Sequence, residues 1–237
     1  METVKFPMKK SQQQNNLQQV SDDETQIILD EARKVLRNDC IGDCVEGCVG
    51  DIVESCVGDI VEFGCYKGDT SLLLERMLER EFPSSSVKLW LYDSFEGLPE
   101  RSREDISVAG DAFSAGELLA TKREVVEKFK KAGLRVPRIR KGFFEELEMM
   151  EKNYSRNVIG VLPEKISFAF LDGDLYQSIK TSLRLVAPRI MNGTIVVHDY
   201  NNPQLPGVAK AVDEWIAQQK TAPRLQRRKS LAIISWT

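Results

Sequence analysis

The sequence predicts an α/β domain with a mostly parallel central sheet, helices on both faces and an antiparallel edge strand. Three observations predict it. Beyond about residue 56, short and nearly continuous apolar runs alternate with segments of helical periodicity, the pattern of strands buried on both faces. Four of those runs end in acidic residues. One of them feeds a glycine-containing turn that opens a helix. With 237 residues, 42% of them hydrophobic and 29% charged, the chain is long enough for one well-buried domain.

The elements follow in order. Residues 1–22, with SQQQNNLQQ at their centre, are too polar to offset the cost of ordering and predict a flexible tail. Residues 23–237 then form a single domain. Ser21 stands three residues before Glu24, a helix-start signature, and Ile27, Ile28, Ala32 and Leu36 supply that helix with an apolar face. From Cys40 an eight-residue phrase is repeated three times: CIGDCVEG, CVGDIVES, CVGDIVEF. Only the third copy continues into a glycine-bearing turn, so the first two (40–56) read as a tandem duplication outside the core sheet, in a surface loop or extra hairpin. Three copies of eight residues are few for a solenoid. Strands are expected at Ile60–Phe63, Val87–Asp93, Arg135–Gly142, Lys165–Asp174 and Asn192–Tyr200, with SLAIISW (230–236) as the closing, antiparallel edge strand. Helices are expected at Ser71–Phe82, near Glu117–Ala132, after Tyr176 and around Val208–Ile216. The polar stretch Glu100–Gly116 is either a lid over a substrate or an ordinary loop.

Composition removes several classes. A formal net charge of −3 gives no general pull toward nucleic acid, and the densest basic run, Arg224–Lys229, reads as a solvated hairpin tip. No stretch of eighteen apolar residues and no leader-like segment is present, so no membrane partner is expected and the cytoplasm is the expected compartment. The five cysteines, all within or beside the octads, include no CxxC pair, and the single histidine is at 198, so a zinc cluster is not expected.

The chemistry concentrates at the strand ends. After Phe63 the chain reads Gly64-Cys65-Tyr66-Lys67-Gly68 before Asp69, Thr70 and Ser71 open a helix. Glycine lets the backbone turn sharply, and a helix start offers free amides to an anion. Tyr66 stands where a pyrophosphate would need an open backbone. The turn is therefore compatible with S-adenosylmethionine, which carries no phosphate; a purely structural turn is the competing reading. Asp93 is suited to grip two ribose hydroxyls, or else caps a turn. Asp172 and Asp199 end neighbouring strands in chain order and could share a divalent cation, while Asp174 could simply cap the following helix. A His-Asp phosphohydrolase would need more histidines, and a serine triad has neither its elbow nor a second histidine to choose from.

Taken together, VGDIVEFGCYKGDTS, LYDSFEGLPE, KGFFEEL, FAFLDGDLYQSIKTSL, GTIVVHDY and GVAKAVDEW, in that order over residues 57–237, resemble the macrocin O-methyltransferase (TylF-like) family of class I S-adenosylmethionine-dependent enzymes. The resemblance implies a Rossmann-like class I methyltransferase fold and methyl transfer to a hydroxyl of a small molecule, a sugar or sugar-bearing natural product. It implies that Glu62, Gly64, Cys65, Tyr66, Gly68 and Thr70 hold the methionine part of the cofactor, with Asp93 and Ser94 at the ribose and Gly142 and Phe143 at the adenine. Asp172, which also borders the cofactor, and Asp199 would ligate Mg2+ or another divalent cation, with His198 as the neighbouring ligand. His198 stands where the family usually has an aspartate, and imidazole is the softer ligand. His198, Asp172 and Asp174 all remain candidates for the general base. A homodimer is implied by the resemblance alone. Two departures accompany it: the segment Glu148–Lys165 is long, and the octads occupy the place of a helix that leads to the first strand. The alternatives are a protein of this fold that binds cofactor without turnover, as a regulatory or interaction module, and a nucleotide-sugar or NAD enzyme, against which Tyr66 speaks.

Overall fold

The computed structural model describes residues 20–42, 57–110, 112–153 and 160–236. Seven strands form one sheet in the order β3-β2-β1-β4-β5-β7-β6. They are β1 (Asp59–Phe63), β2 (Leu89–Asp93), β3 (Arg138–Lys141), β4 (Ile166–Leu171), β5 (Ile190–Val197), β6 (Arg224–Arg228) and β7 (Leu231–Ser235). The first five are parallel, and β7 and β6 are antiparallel additions beside β5. Six helices connect them: α1 (Asp22–Gly42), α2 (Asp69–Glu81), α3 (Lys122–Lys131), α4 (Phe144–Asn153), α5 (Tyr176–Val186) and α6 (Pro206–Ala217). Among the described residues no helix is long and apolar enough to cross a membrane.

The two-residue period of the strands divides the core. Ile60, Leu89, Leu91, Phe168 and Phe170 face α1, α2 and α3. Val61, Phe63, Tyr92, Ala169 and Leu171 face α4, α5 and α6. Phe63, Tyr92, Phe168 and Phe170 are fully buried, each contributing about 1.5–3 kcal/mol of apolar burial. The continuous apolar runs of β1 and β4 are thus the expected consequence of cover on both faces.

The third octad carries structural duties. A Cβ on Gly58 would lie 2.7 Å from the backbone of Ile166 and Ser167, and the Gly58 amide donates to Ser167 Oγ at 2.8 Å. Asp59 accepts from the Lys88 amide at 2.9 Å and from Trp90 Nε1 at 2.7 Å. Gly-Asp is therefore what lets β1 lie flat between β2 and β4. Residues 43–56, which hold most of the first two copies and three of the cysteines, including the Cys56 that opens the third, lie outside the described residues. The first copy begins inside a helix, since α1 runs through Gly42. A helix ahead of β1 is therefore present, and Cys40–Gly42 are not part of a loop or hairpin.

Other expectations need correction. The tail ends earlier than residue 22: Val20 is buried, and Ser21 and Glu24 form a reciprocal cap on α1. Residues 1–19 lie outside the described residues. The third helix begins at Lys122, not near Glu117, because Thr121 and Glu124 form a capping box. The closing strand is not the edge. Leu231, Ala232, Ile233 and Ile234 are buried, so β7 goes inside, and the Arg-rich run is itself the edge strand β6 rather than a hairpin tip. Charged side chains there discourage pairing with another chain, and β3, the opposite edge, is likewise basic.

Candidate functional site

The site lies beyond the carboxyl ends of β1, β2, β4 and β5, as expected for an open parallel sheet. Ladder hydrogen bonds continue past the strands and place the acidic residues. Gly64 N donates to Tyr92 O at 2.8 Å, Asp172 N to Phe63 O at 2.8 Å, and His198 N to Leu171 O at 2.9 Å. A cleft partly open to solvent sits above them. Gly64, Tyr66, Asp93, Ser94, Phe143, Asp172 and Asp174 of the expected set line it.

The β1–α2 turn is built by backbone. Gly64 has φ 86°, and a Cβ there would come within 1.9 Å of Asp172 O, so only glycine fits. Tyr66, at φ 46°, is held by its amide, which donates to Asp93 Oδ2 at 2.9 Å. Asp93 Oδ1 accepts from Phe95 N at 2.8 Å. Burial raises the Asp93 carboxyl above its ordinary value against these two amides. Lys128 of α3 pins the turn through Lys67 O at 2.9 Å and Asp69 Oδ1 at 2.6 Å. Glu62, Cys65 and Thr70 are buried behind the turn rather than on the cleft wall, and Gly68 caps α2 in the left-handed conformation. Gly142, at φ 151°, donates its amide to Asp93 O at 3.0 Å, next to Phe143 on the wall.

Glu62 is fully enclosed, and its Oε2, like Ser71 Oγ, makes no hydrogen bond. Burial drives its pKa up to about 8, and Asp172 and Asp93 add to the rise. A buried acid with an unsatisfied oxygen is costly unless a partner arrives.

The second half of the site is built by side chains. His198 is 4% exposed and enclosed by three carboxylates. Its Nδ1 lies 2.8 Å from Asp172 Oδ1 and 3.3 Å from Asp199 Oδ2, and its Nε2 lies 3.9 Å from Glu24 Oε2. Burial works against its charge, but Asp172, Glu24 and Asp199 outweigh that and hold its pKa at about 11. Asp199 has φ 58°, and burial raises its carboxyl. Asp174, at φ 57° and buried, is pushed well above the carboxylate range by burial, then by Asp172 and Asp199. Asp172, His198 and Asp199 bring their ligand atoms within 4.8 Å of one another.

Several contributors were not read from the sequence. Glu24, taken only as a cap, also accepts from Ser230 N and Oγ at 3.1 and 2.5 Å, which ties α1 to the β6–β7 turn beside His198. Nearby His198 holds the Glu24 carboxyl well below its usual range. Leu98, Pro99, Leu118, Phe144 and Ser178 complete the cleft wall. No local motif marks Glu24 or Leu118, because their proximity to the site comes from folding.

The macrocin-O-methyltransferase (TylF) profile matches residues 32–234. A Streptomyces olivaceus protein named 8-demethyl-8-(2,3-dimethoxy-alpha-L-rhamnosyl)-tetracenomycin-C 4'-O-methyltransferase is 28% identical over 145 residues, 59% of this chain and 51% of its own. The demethyldecarbamoylnovobiocin O-methyltransferase of Streptomyces niveus is 28% identical over 171 residues, 69% of this chain and 60% of its own. The chain thus spans between half and two thirds of the length of these curated relatives. Among solved structures, the O-methyltransferase NovP superposes with TM-score 0.66 at 24% identity, covering 90% of this chain and 79% of NovP. The calicheamicin methyltransferase CalS11 superposes with TM-score 0.64 at 18% identity, covering 98% and 87%. These likenesses establish a class I methyltransferase fold. With the profile spanning nearly all of the described sheet, the chain belongs to the macrocin-O-methyltransferase (TylF) family.

Proposed function

We propose that this protein is an S-adenosylmethionine-dependent O-methyltransferase that acts on a hydroxyl of a small molecule, a sugar or sugar-bearing natural product. The observation that carries the reading is the cleft in which Asp93, held by two backbone amides, faces the same space as Asp172 and Asp174. The cofactor fits the residues present. The lone pairs of Asp93 left over from the amides match a ribose diol, and Phe143 offers an apolar wall. The names of the relatives, which act on rhamnosylated tetracenomycin and on a novobiocin precursor, support the acceptor class.

When bound, the cofactor supplies a methyl group on a sulfonium centre. A divalent cation, when bound, supplies positive charge that favours the ionised form of an acceptor hydroxyl. Asp172 Oδ1, His198 Nδ1 and Asp199 Oδ2 would hold it, since their separations suit ligands on adjacent corners of one coordination sphere. Glu24, facing the other ring nitrogen, would orient the imidazole as an outer carboxylate. Asp174 is the residue to receive the hydroxyl proton, because it opens onto the cleft, whereas His198 is closed off behind Asp172. Leu98, Pro99, Leu118 and Phe144 supply apolar wall beside the reacting atoms.

One observation favours a second reading, binding without turnover: at 2.8 Å from Asp172 Oδ1, the imidazole can place its own N–H where a cation would sit. Two measurements decide. S-adenosylhomocysteine binding by calorimetry should survive EDTA and weaken at least ~100-fold in Asp93→Ala, which loses two ribose contacts and orphans two amides. Methyl transfer to rhamnosylated tetracenomycin or demethyldecarbamoylnovobiocin should then require Mg2+ or Mn2+. Binding with no transfer under any metal supports the second reading, and no binding overturns both.

A further inference from the structure

We propose that Asp105 is a positioning residue that clasps the 97–118 loop to the first turn of α5 and so sets Asp174 against the acceptor. The inference rests on the methyltransferase reading for the identity of the acceptor, but its geometry stands independently.

The loop closes at its neck: Leu98 N donates to Glu117 O at 2.8 Å and Gly116 N to Leu98 O at 2.9 Å. Gly97, Leu98, Pro99 and Leu118, at that neck, line the cleft. Beyond the neck the chain turns through Arg103–Asp105, and Asp105 is only 2% exposed. Its two oxygens do different work. Oδ2 accepts from Ser102 N at 2.9 Å and Ser102 Oγ at 2.6 Å, within the loop. Oδ1 accepts from Tyr176 N at 2.7 Å, across to α5. The α5 N-cap, Leu175, has no side chain able to satisfy that amide, so the loop supplies the cap in trans. Asp174 lies immediately before Leu175, in a left-handed conformation that aspartate can adopt, so the position of its carboxyl follows that of the α5 start. The α6 helix has made room for the clasp: a Cβ on Gly207 would lie 2.0 Å from Asp105 Oδ1. Two other ties of the loop, Glu104 to Lys210 at 3.3 Å and Ser107 Oγ to Pro203 O at 2.7 Å, are more exposed and more easily replaced by water.

The test uses Ser102→Ala and Asp105→Asn in the full chain, with Asp105→Ala as the stronger cut. Ser102 meets the carboxylate only from the loop side. Amide exchange by mass spectrometry should nevertheless rise in Ser102→Ala at the first turn of α5 as well as in the loop. With an acceptor that the wild type methylates, Asp105→Asn should lower kcat about tenfold or more, while S-adenosylhomocysteine affinity stays within about twofold. Two results overturn the proposal: exchange at α5 that is unchanged in all three variants, or exchange that rises while kcat does not move, which would make Asp105 a local cap. A wild type that methylates no acceptor counts against the methyltransferase reading. The exchange arm still tests whether the clasp exists, and an unchanged α5 there removes the inference by itself.

Discussion

The two halves of the site are made of different material. The half around the β1–α2 turn is backbone: Gly64, Tyr66 and Phe95 take positive φ, and two of the amides they present grip Asp93. The half around His198 is side chain: an imidazole among Asp172, Asp199 and Glu24, drawn from β4, β5 and a helix that begins the described chain. Backbone geometry tolerates little change in the residues that must be glycine and much change elsewhere. A side-chain cage depends on each member but can absorb a conservative exchange.

The comparison is most easily broken at Gly64. Gly64→Ala would force a Cβ against Asp172 O at a left-handed position, costing at least ~3 kcal/mol. Thermal unfolding should show a loss of about 6–12 °C. A stable Gly64→Ala protein would mean that the turn is not set by its backbone. An intermediate effect is expected at Glu62. Its pKa in the folded chain, about 8 against an ordinary 4.5, means that the folded state keeps a proton the unfolded state has lost. Between those values stability falls as pH rises, and it is fully present below about pH 4.5. Glu62→Gln removes that slope, so the variant should melt close to wild type at pH 5 and higher at pH 8.5. Parallel melting curves at both pH values would show that Glu62 is not held neutral. The smallest effect is expected at Glu24→Gln, which keeps an oxygen for Ser230 but loses the charge facing His198. Loss of about 1–2 kcal/mol, read as a melting shift of a few degrees, should leave S-adenosylhomocysteine affinity unchanged. A matching loss of cofactor affinity would show that the two halves are coupled.

Much of the backbone half could be read locally. An apolar run, then Gly64 and Gly68, then Thr70 and Ser71 at a helix start, encodes strand, turn and helix within a dozen residues. Asp93, Asp172 and Asp199 were found because strand ends in a parallel sheet share one rim. Thr121 and Glu124 also carried a readable capping signal for α3. The order of the last two strands was harder, because both β6 and β7 suit an antiparallel ending and burial alone sorts them: apolar β7 inward, Arg-rich β6 at the rim. Glu24 and Asp105 had no readable signal of function. Each resembles an ordinary cap in its own segment, yet their partners at Ser230 and Tyr176 lie 206 and 71 residues away.

By itself, then, the sequence determined what short-range chemistry controls: which segments are strands and helices, where glycine turns the chain and which acids sit at strand ends. These follow from steric limits and hydrophobic period within a few residues. Tertiary structure alone decided what surrounds those acids. The carboxylate cage of His198, the unsatisfied oxygen of Glu62 and the clasp of Asp105 depend on distances between elements far apart in the chain. Such distances are set by how two faces of one sheet pack, and no local pattern records them.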